Sequence, residues 1–409
     1  MPFKAPPPRL LHCCRRQPKT PSVRTTTSSI ANKESIQALQ GKHTVEASEL
    51  YMAFELSEKN WKLALGDGVH SPSRYTVAAA DTAALLECIA KAKARCGLAP
   101  EASVGSCYEA GRDGFWLHRW LIAHGIDNIV VDSASIEVNR RARRAKTDRL
   151  DSDKLLAMLI RYGAGERRVW SVVRVPTPEQ EDARRAHREL GRLVHERTAH
   201  INRIRGLLVL HNLRVKYVGG RLWQRWWIGH TQELPPRVRA EIERESERLL
   251  LVKKQMDTIE AAQRQAMAAG SEPQVARLAQ LRGIGMSSGW VLGKELFGWR
   301  SFRNRREVAG CLGLTPSPYD SGESETEQGI SKAGNRRART LMVELAWSWL
   351  RYQPQSELSQ WFTRRFAGGG KRMRRIGIVA LARRLAIALW RYLEDGLIPD
   401  GAQLKPIGG

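Results

Sequence analysis

Two aspartates three residues apart, Asp148 and Asp151, follow a crowded basic run: Arg140, Arg141, Arg143, Arg144 and Lys146, with Arg149 between the acids. The spacing predicts that both carboxylates project from one face of a helix that begins here and runs to about Tyr162. Carboxylate oxygens suit a hard divalent cation, and a basic flank suits the phosphates that such a cation would meet. The chemistry implied is metal-assisted reaction on a nucleic-acid backbone. The same residues also fit a plain, solvated helix start, where aspartate is common. The rest of the chain has to decide between the two.

Two further carboxylates occur where strands should end. Leu50-Tyr51-Met52-Ala53-Phe54-Glu55 reads as a buried strand closing on an acid, and the strand predicted over Ser103–Tyr108 is followed by Glu109. Strands are also expected over Asn60–Leu65, Arg74–Ala80 and Asn128–Val131, with helices over Asp81–Cys96 and Asp113–His124. The order is three strands, helix, strand, helix, strand, helix. The first three strands suit a meander, and the last two suit parallel additions through right-handed crossovers. That is the order of an RNase H-like, RuvC-like α/β domain. Ligands and chemistry gather at the carboxyl ends of strands in such sheets. If the two strands are neighbours, Glu55, Glu109, Asp148 and Asp151 converge and could hold one or two Mg²⁺ ions. A lone glutamate after a strand is usually just solvated, so the inference rests on the coincidence of all four.

Beyond Pro176 and Pro178 the pattern changes. A long helix is expected over Glu179–Leu213 and a return helix over Pro236–Ala268, together a coiled-coil arm that packs on a partner subunit or tracks a phosphate backbone. Trp223, Trp226 and Trp227 at its turn, interleaved with Arg225, suit base stacking and local packing equally. Leu281-Arg282-Gly283-Ile284-Gly285 resembles the hairpin of a helix-hairpin-helix element, in which Gly283 and Gly285 let backbone approach phosphate. Gly313–Gly322 is expected to be an ordered loop that exposes Ser321. Gly329–Arg337 combines glycine, Ser331, Lys332, Arg336 and Arg337 in a phosphate cradle that opens a helix. Thr363–Ile376, with Lys371 and Arg372 beside the Gly368–Gly370 triplet, is expected to be a mobile basic loop. The resulting division is a disordered basic tail at 1–45, a catalytic α/β domain at 46–175, the arm at 176–272, a helical domain at 273–398 and a short tail at 399–409.

Composition limits the partners. The 409 residues include 67 Lys plus Arg against 42 Asp plus Glu, a formal net charge of +25. Such an excess favours DNA or RNA over a small neutral substrate. No uncharged apolar run approaches the ~18 residues of a membrane span, so a membrane is not expected. Six cysteines without paired spacing argue against a disulfide framework or a zinc site and fit a reducing cytoplasm, with the protein on the nucleoid.

Taken together, Lys146-Thr147-Asp148-x-x-Asp151, the arm, the LxGIG hairpin, GLTPSPYDSG and GISKAGNRRAR resemble the DEDD transposases of the insertion-sequence one-ten family, over roughly Glu49–Leu397. The resemblance implies a RuvC-like domain, a coiled-coil arm and a small helical transposase domain. It also implies a homo-oligomeric (dimeric or tetrameric) recombinase that acts on DNA under the guidance of a structured RNA. The family's four acids fall on Glu55, Glu109, Asp148 and Asp151, and its nucleophilic serine on Ser321, with Ser331 as the fallback. The first acid is aspartate in the family and Glu55 here, one methylene longer. The rival readings are a resolvase or nuclease using metal-activated water, a classical transposase joining a free 3′ hydroxyl, and a non-catalytic nucleic-acid-binding protein.

Overall fold

The computed structural model describes residues 49–136, 148–321 and 324–406; at 49, 148–151, 317–321 and 324–328 it describes the backbone alone. Its first unit is a five-stranded mixed sheet. Strands β1 (Glu49–Leu56), β2 (Asn60–Gly66) and β3 (Ser73–Ala78) form the expected antiparallel meander. Strands β4 (Ser103–Glu109) and β5 (Asp127–Val131) add in parallel on the other side of β1, giving the order β3-β2-β1-β4-β5. The crossover helices are α1 (Thr82–Arg95), capped by the Asp81 carboxylate, and α2 (Trp116–Ala123), which starts three residues later than Asp113. They cover one face of the sheet through Leu85, Ile89, Leu117 and Leu121, packed on Phe54, Trp61 and Tyr108.

The other face is covered by α3 (Asp148–Gly163), whose Leu155, Leu156 and Leu159 lie on Ala53, Ala64 and Cys107. Small residues on the strands let this helix sit close. Its last residue, Gly163, lies against the Tyr51 ring near the start of β1, where a Cβ would collide. The Leu155 carbonyl lies 4.0 Å from the Cys107 thiol in mid-sheet. The helix therefore runs antiparallel to β1.

The arm is broken near its base. A short helix, α4 (Pro178–Asp182), closed by a Thr177–Gln180 capping box, precedes α5 (Arg185–Val209). The expected single helix over Glu179–Leu213 is therefore corrected: the capping box starts a separate turn, and Ala183 and Arg184 interrupt it. After α6 (Arg221–His230), the return helix α7 (Pro236–Ala268) follows the predicted bounds. Leu190, Leu193, Ile204 and Leu208 meet Ile242, Leu249, Val252 and Met256 along the seam. His200 with Glu245 (2.6 Å) and Arg203 with Glu241 (2.5 Å) flank it.

The last unit has its own core. It comprises α8 (Pro273–Gln280), α9 (Met286–Leu292), one π-helical turn (Gly293–Phe297), α10 (Arg305–Leu312), the β6–β7 hairpin (Pro316–Ser321 and Ser324–Ile330), α11 (Arg336–Tyr352), α12 (Glu357–Phe366) and α13 (Lys371–Glu394). Leu296, Leu312, Met342, Trp349, Leu381, Leu385 and Leu389 are buried together there. Two expectations are corrected in this unit. Within the expected loop Gly313–Gly322, whose last residue lies outside the described residues, Pro316–Ser321 is a strand that pairs antiparallel with Ser324–Ile330, with a register shift between Pro316 and Pro318. Proline is compatible with an edge or a bulge, and a two-stranded ribbon is all edge. Thr363–Ile376 is not one mobile loop either. It is the end of α12, a turn at 367–370 and the start of α13, because Phe362, Phe366 and Ile378 anchor both helices in the core.

Candidate active site and nucleic-acid groove

The parallel pairing of β1 with β4 sets Phe54 opposite Tyr108, so the next residues, Glu55 and Glu109, lie side by side at the carboxyl ends of the two strands, still paired outward with Lys62 and Val131. Both line one cleft of about 510 Å³, whose described walls are residues 54–58 and 108–114. Glu109 is exposed and Glu55 half-buried. The Tyr108 hydroxyl donates to the Gly114 carbonyl (3.1 Å) and holds the loop that forms one wall. Arg112, paired with Glu58 at 3.1 Å, bridges the two walls.

The backbone of α3 brings its start to the same place. The ~6 Å of helix axis from Leu155 back to Asp151 matches the ~6.6 Å of strand from Ala53 on to Glu55. Since the helix runs antiparallel to β1, Asp148 and Asp151 begin it at the carboxyl end of the sheet. Arg140, Arg141, Arg143, Arg144 and Lys146 lie outside the described residues.

Ser321 is the last residue of β6 and faces Ser324 across the hairpin. The hairpin's base is stapled by backbone bonds: Ser331 N–H to the Thr315 carbonyl (2.9 Å), Lys332 N–H to Gly313 (3.1 Å) and Asn335 N–H to Cys311 (2.8 Å). Gly313 and Gly334 both have positive φ (63° and 91°). A Cβ on Gly313 would strike the Ala333 carbonyl, and one on Gly334 the Cys311 carbonyl. The glycines of both motifs are thus required by two backbone segments crossing in contact. Lys332, exposed, also has φ +57°, a left-handed conformation that costs a lysine about 1 kcal/mol.

Beside this base runs a groove of about 1330 Å³. Its floor is apolar, with Ile376, Val379, Ile387 and Trp361, and among the described side chains its rim carries Arg305, Arg306, Lys332, Arg372, Arg375, Arg383, Arg384 and Arg391 against Glu357 and Asp400. The Arg384 guanidinium stacks on Trp361, 4.2 Å from the ring centre. Five of the eight cations lie on α13. Arg372, Arg375, Val379, Arg383, Ile387 and Arg391 recur every three or four residues, a single helix face. That spacing was open to inspection in the sequence, yet the sequence reading singled out only Lys332 and Arg372 of this rim.

Other expected contacts fall elsewhere. Arg337 reaches back to the arm, donating to the His187 carbonyl at 3.1 Å. Arg336 is exposed at the start of α11. Lys371 is exposed at the first position of α13. Gly283, φ +88°, is packed against Ser348 and Tyr352 of α11, and its carbonyl accepts from the Ser348 hydroxyl (2.8 Å), while Gly285 caps α9. Trp223 is buried, and its ring stacks on Trp226 and Trp227, each at 5.4 Å, so local packing accounts for these aromatics. Asp67, His70 and Cys96 place a carboxylate, an imidazole and a thiol within 4.8 Å of one another. The Asp67 carboxylate is already engaged by the Val69 and His70 amides (2.9 and 2.8 Å) and the His70 ring (2.7 Å), so it anchors the β2–β3 turn.

Comparison with known proteins decides the family. Residues 275–359 match the family model described as transposase IS116/IS110/IS902 family. A putative transposase, y4rJ, of Sinorhizobium fredii is 41% identical over 385 residues, 88% of this chain and 96% of that protein. The chain belongs to the IS116/IS110/IS902 transposase family. Two insertion-sequence transposases are more distant relatives of this transposase. That of IS1111A from Coxiella burnetii is 28% identical over 61% of this chain and 66% of its own length. That of IS1328 from Yersinia enterocolitica is 25% identical over 54% and 66%. The matched stretch of this transposase holds the LxGIG turn, the Ser321 hairpin and the Gly329–Arg337 loop. Among its described residues no helix is long and apolar enough to cross a membrane.

Proposed function

We propose that this transposase cuts and rejoins DNA through a covalent phosphoserine intermediate, with Ser321 as nucleophile and Glu55, Glu109, Asp148 and Asp151 as the acids of an RNase H-like, RuvC-like site. The observation that carries the reading is the shared cleft of Glu55 and Glu109 at the ends of neighbouring parallel strands, with the start of α3 at the same end of the sheet. Carboxylates converging there suit a hard cation such as Mg²⁺, and Glu55 and Glu109, joined by the two aspartates, would hold it. When bound, Mg²⁺ would neutralise the attacked phosphate and favour ionisation of a hydroxyl. The longer side chain of Glu55 can still reach from the strand end into the cleft. The Ser321 oxygen bonds to phosphorus as the 3′ oxygen leaves as a hydroxyl, and the phosphoserine ester keeps the bond energy for religation to a second strand.

The acids and Ser321 belong to separately packed units, each with its own core. That separation supports an active site completed by a second subunit, and so a homo-oligomer working on cytoplasmic, nucleoid DNA. The basic groove beside the hairpin base, with the net charge of +25, supports both DNA and a structured guide RNA as partners.

The test compares Ser321→Ala and Asp148→Ala on element-end DNA. The expected result is loss of cleavage in both and loss of a denaturation-resistant protein–DNA adduct in Ser321→Ala. Full cleavage by Ser321→Ala alongside an inactive Asp148→Ala would reject the covalent step in favour of metal-activated water.

A further inference from the structure

We propose that Glu295 is a positioning residue of this transposase: a buried carboxylate that locks the base of the arm to the loop following the Ser321 hairpin. The inference rests on the reading of Ser321 above for its link to cleavage, but not for its geometry.

Glu295 lies in the π-helical turn Gly293–Phe297, a wide turn of the kind that often marks a functional position. The turn closes with a bond from Gly298 N–H to the Gly293 carbonyl (2.7 Å), and a Cβ on Gly298 would strike that carbonyl. The widened turn directs Glu295 inward, and it is 1% exposed. From the arm, His187 Nε2 meets its Oε1 at 2.9 Å, and Arg188 donates Nε to Oε1 (2.6 Å) and Nη2 to Oε2 (2.8 Å). From the other side, Asn335 Nδ2 donates to Oε2 at 3.2 Å. One carboxylate thus gathers groups 107, 108 and 40 residues away in sequence.

Asn335 is the important partner. Its Oδ1 accepts from Ala338 N–H (3.0 Å) and caps α11, while its own N–H binds the Cys311 carbonyl. It therefore ends the loop that begins at the hairpin base and fixes where that loop enters the helix. Arg337, two residues on, donates to the His187 carbonyl and lies against Gly191 of the arm. A movement of the arm must pull on this group or break it. A carboxylate this deeply buried persists only when its partners are held in place, and removal of one of them is strongly unfavourable. Two packed elements so joined keep one relative orientation, and a displacement of ~1 Å at a reacting group can cost about 100-fold in rate.

Two conservative changes separate the joint from simple folding. Asn335→Asp keeps the oxygen that caps α11 but sets a second carboxylate against Glu295. Glu295→Gln keeps the size and removes the charge. In the double variant the amide stands at 295 and the carboxylate at 335, so the 295–335 bond returns with reversed polarity and the group keeps its total charge, while Arg188 Nη2 loses its acceptor at 295. Each single variant is expected to bind element-end DNA within about 2-fold of the parent yet cleave prebound DNA about 10- to 100-fold more slowly, and the double variant to recover part of that loss. Spin labels at Glu247→Cys on the arm and Arg365→Cys on α12, with Cys13, Cys14, Cys96 and Cys311 replaced by serine, should give one narrow distance in the parent and in the double variant, and a broad distribution in each single variant. Parent-like cleavage and a narrow distance in both single variants would overturn the proposal. So would slow cleavage in the double equal to the sum of the two losses. The distance measurement does not involve Ser321, so a broadened arm together with an unimpaired Ser321→Ala enzyme would reject the serine chemistry and leave the joint standing.

Discussion

Asp67 shows how one side chain can stabilise the sheet from the end opposite the cleft. Burial by itself pushes its carboxyl pKa up. The His70 and Val69 amides and the His70 ring outweigh that and hold it down at about 2, against an ordinary 3.8. A folded-state value below the unfolded one means that this stabilisation is complete above pH 3.8 and disappears as pH falls toward 2. Asp67→Asn should therefore lower stability at neutral pH by about 1–2 kcal/mol, and the gap from the parent should close below pH 3, read by urea unfolding across that range. Unfolding curves that stay equally spaced down to pH 2 would dismiss the charge as the cause. Single residues were unevenly legible in the chain. Glu55 and Glu109 could be found because each follows an apolar strand, and a strand has a fixed end. Glu295 could not, because Lys294-Glu295-Leu296-Phe297 reads like any amphipathic turn, and only the π-turn and the arm's approach bury it.

At the scale of elements, the Ser321 hairpin stands on a pedestal of two backbone segments in contact at Gly313 and Gly334. Gly313→Ala or Gly334→Ala must separate those segments as well as strain a left-handed residue, and each is expected to cost about 3 kcal/mol or more, measured as a shift in the denaturation midpoint. Gly310→Ala is the control, because a Cβ there meets nothing within 4 Å; equal losses in all three would refute the crossing as the reason. The sheet, α3 and α7 were legible because their apolar periods are long and cleanly bounded. The hairpin was not, since prolines at 316 and 318 and a run of acids hide the strand alternation. The start of α13 was hidden for a related reason: its basic face outweighs an apolar face that becomes apparent only further along, at Ile378, Leu381 and Leu385.

For the whole molecule, charge is the governing quantity. A net +25 predicts nucleic-acid affinity that falls steeply with salt, and the groove on α13 localises part of that dependence. Arg383→Gln and Arg391→Gln should each lower the slope of log affinity against log salt by about 1 for DNA, while Arg264→Gln on the arm serves as a remote control. Unchanged slopes in both groove variants would remove the groove from the binding surface. The arm, in contrast, carries matched pairs along its seam, His200 with Glu245 and Arg203 with Glu241.

The division of acids and serine between two independently packed cores has a kinetic meaning. If the halves of one reactive centre come from different copies, a lone molecule is harmless to the chromosome that encodes it. Activity would then climb with roughly the square of the protein's abundance at low expression, so a modest change in translation would act on mobility as a steep threshold.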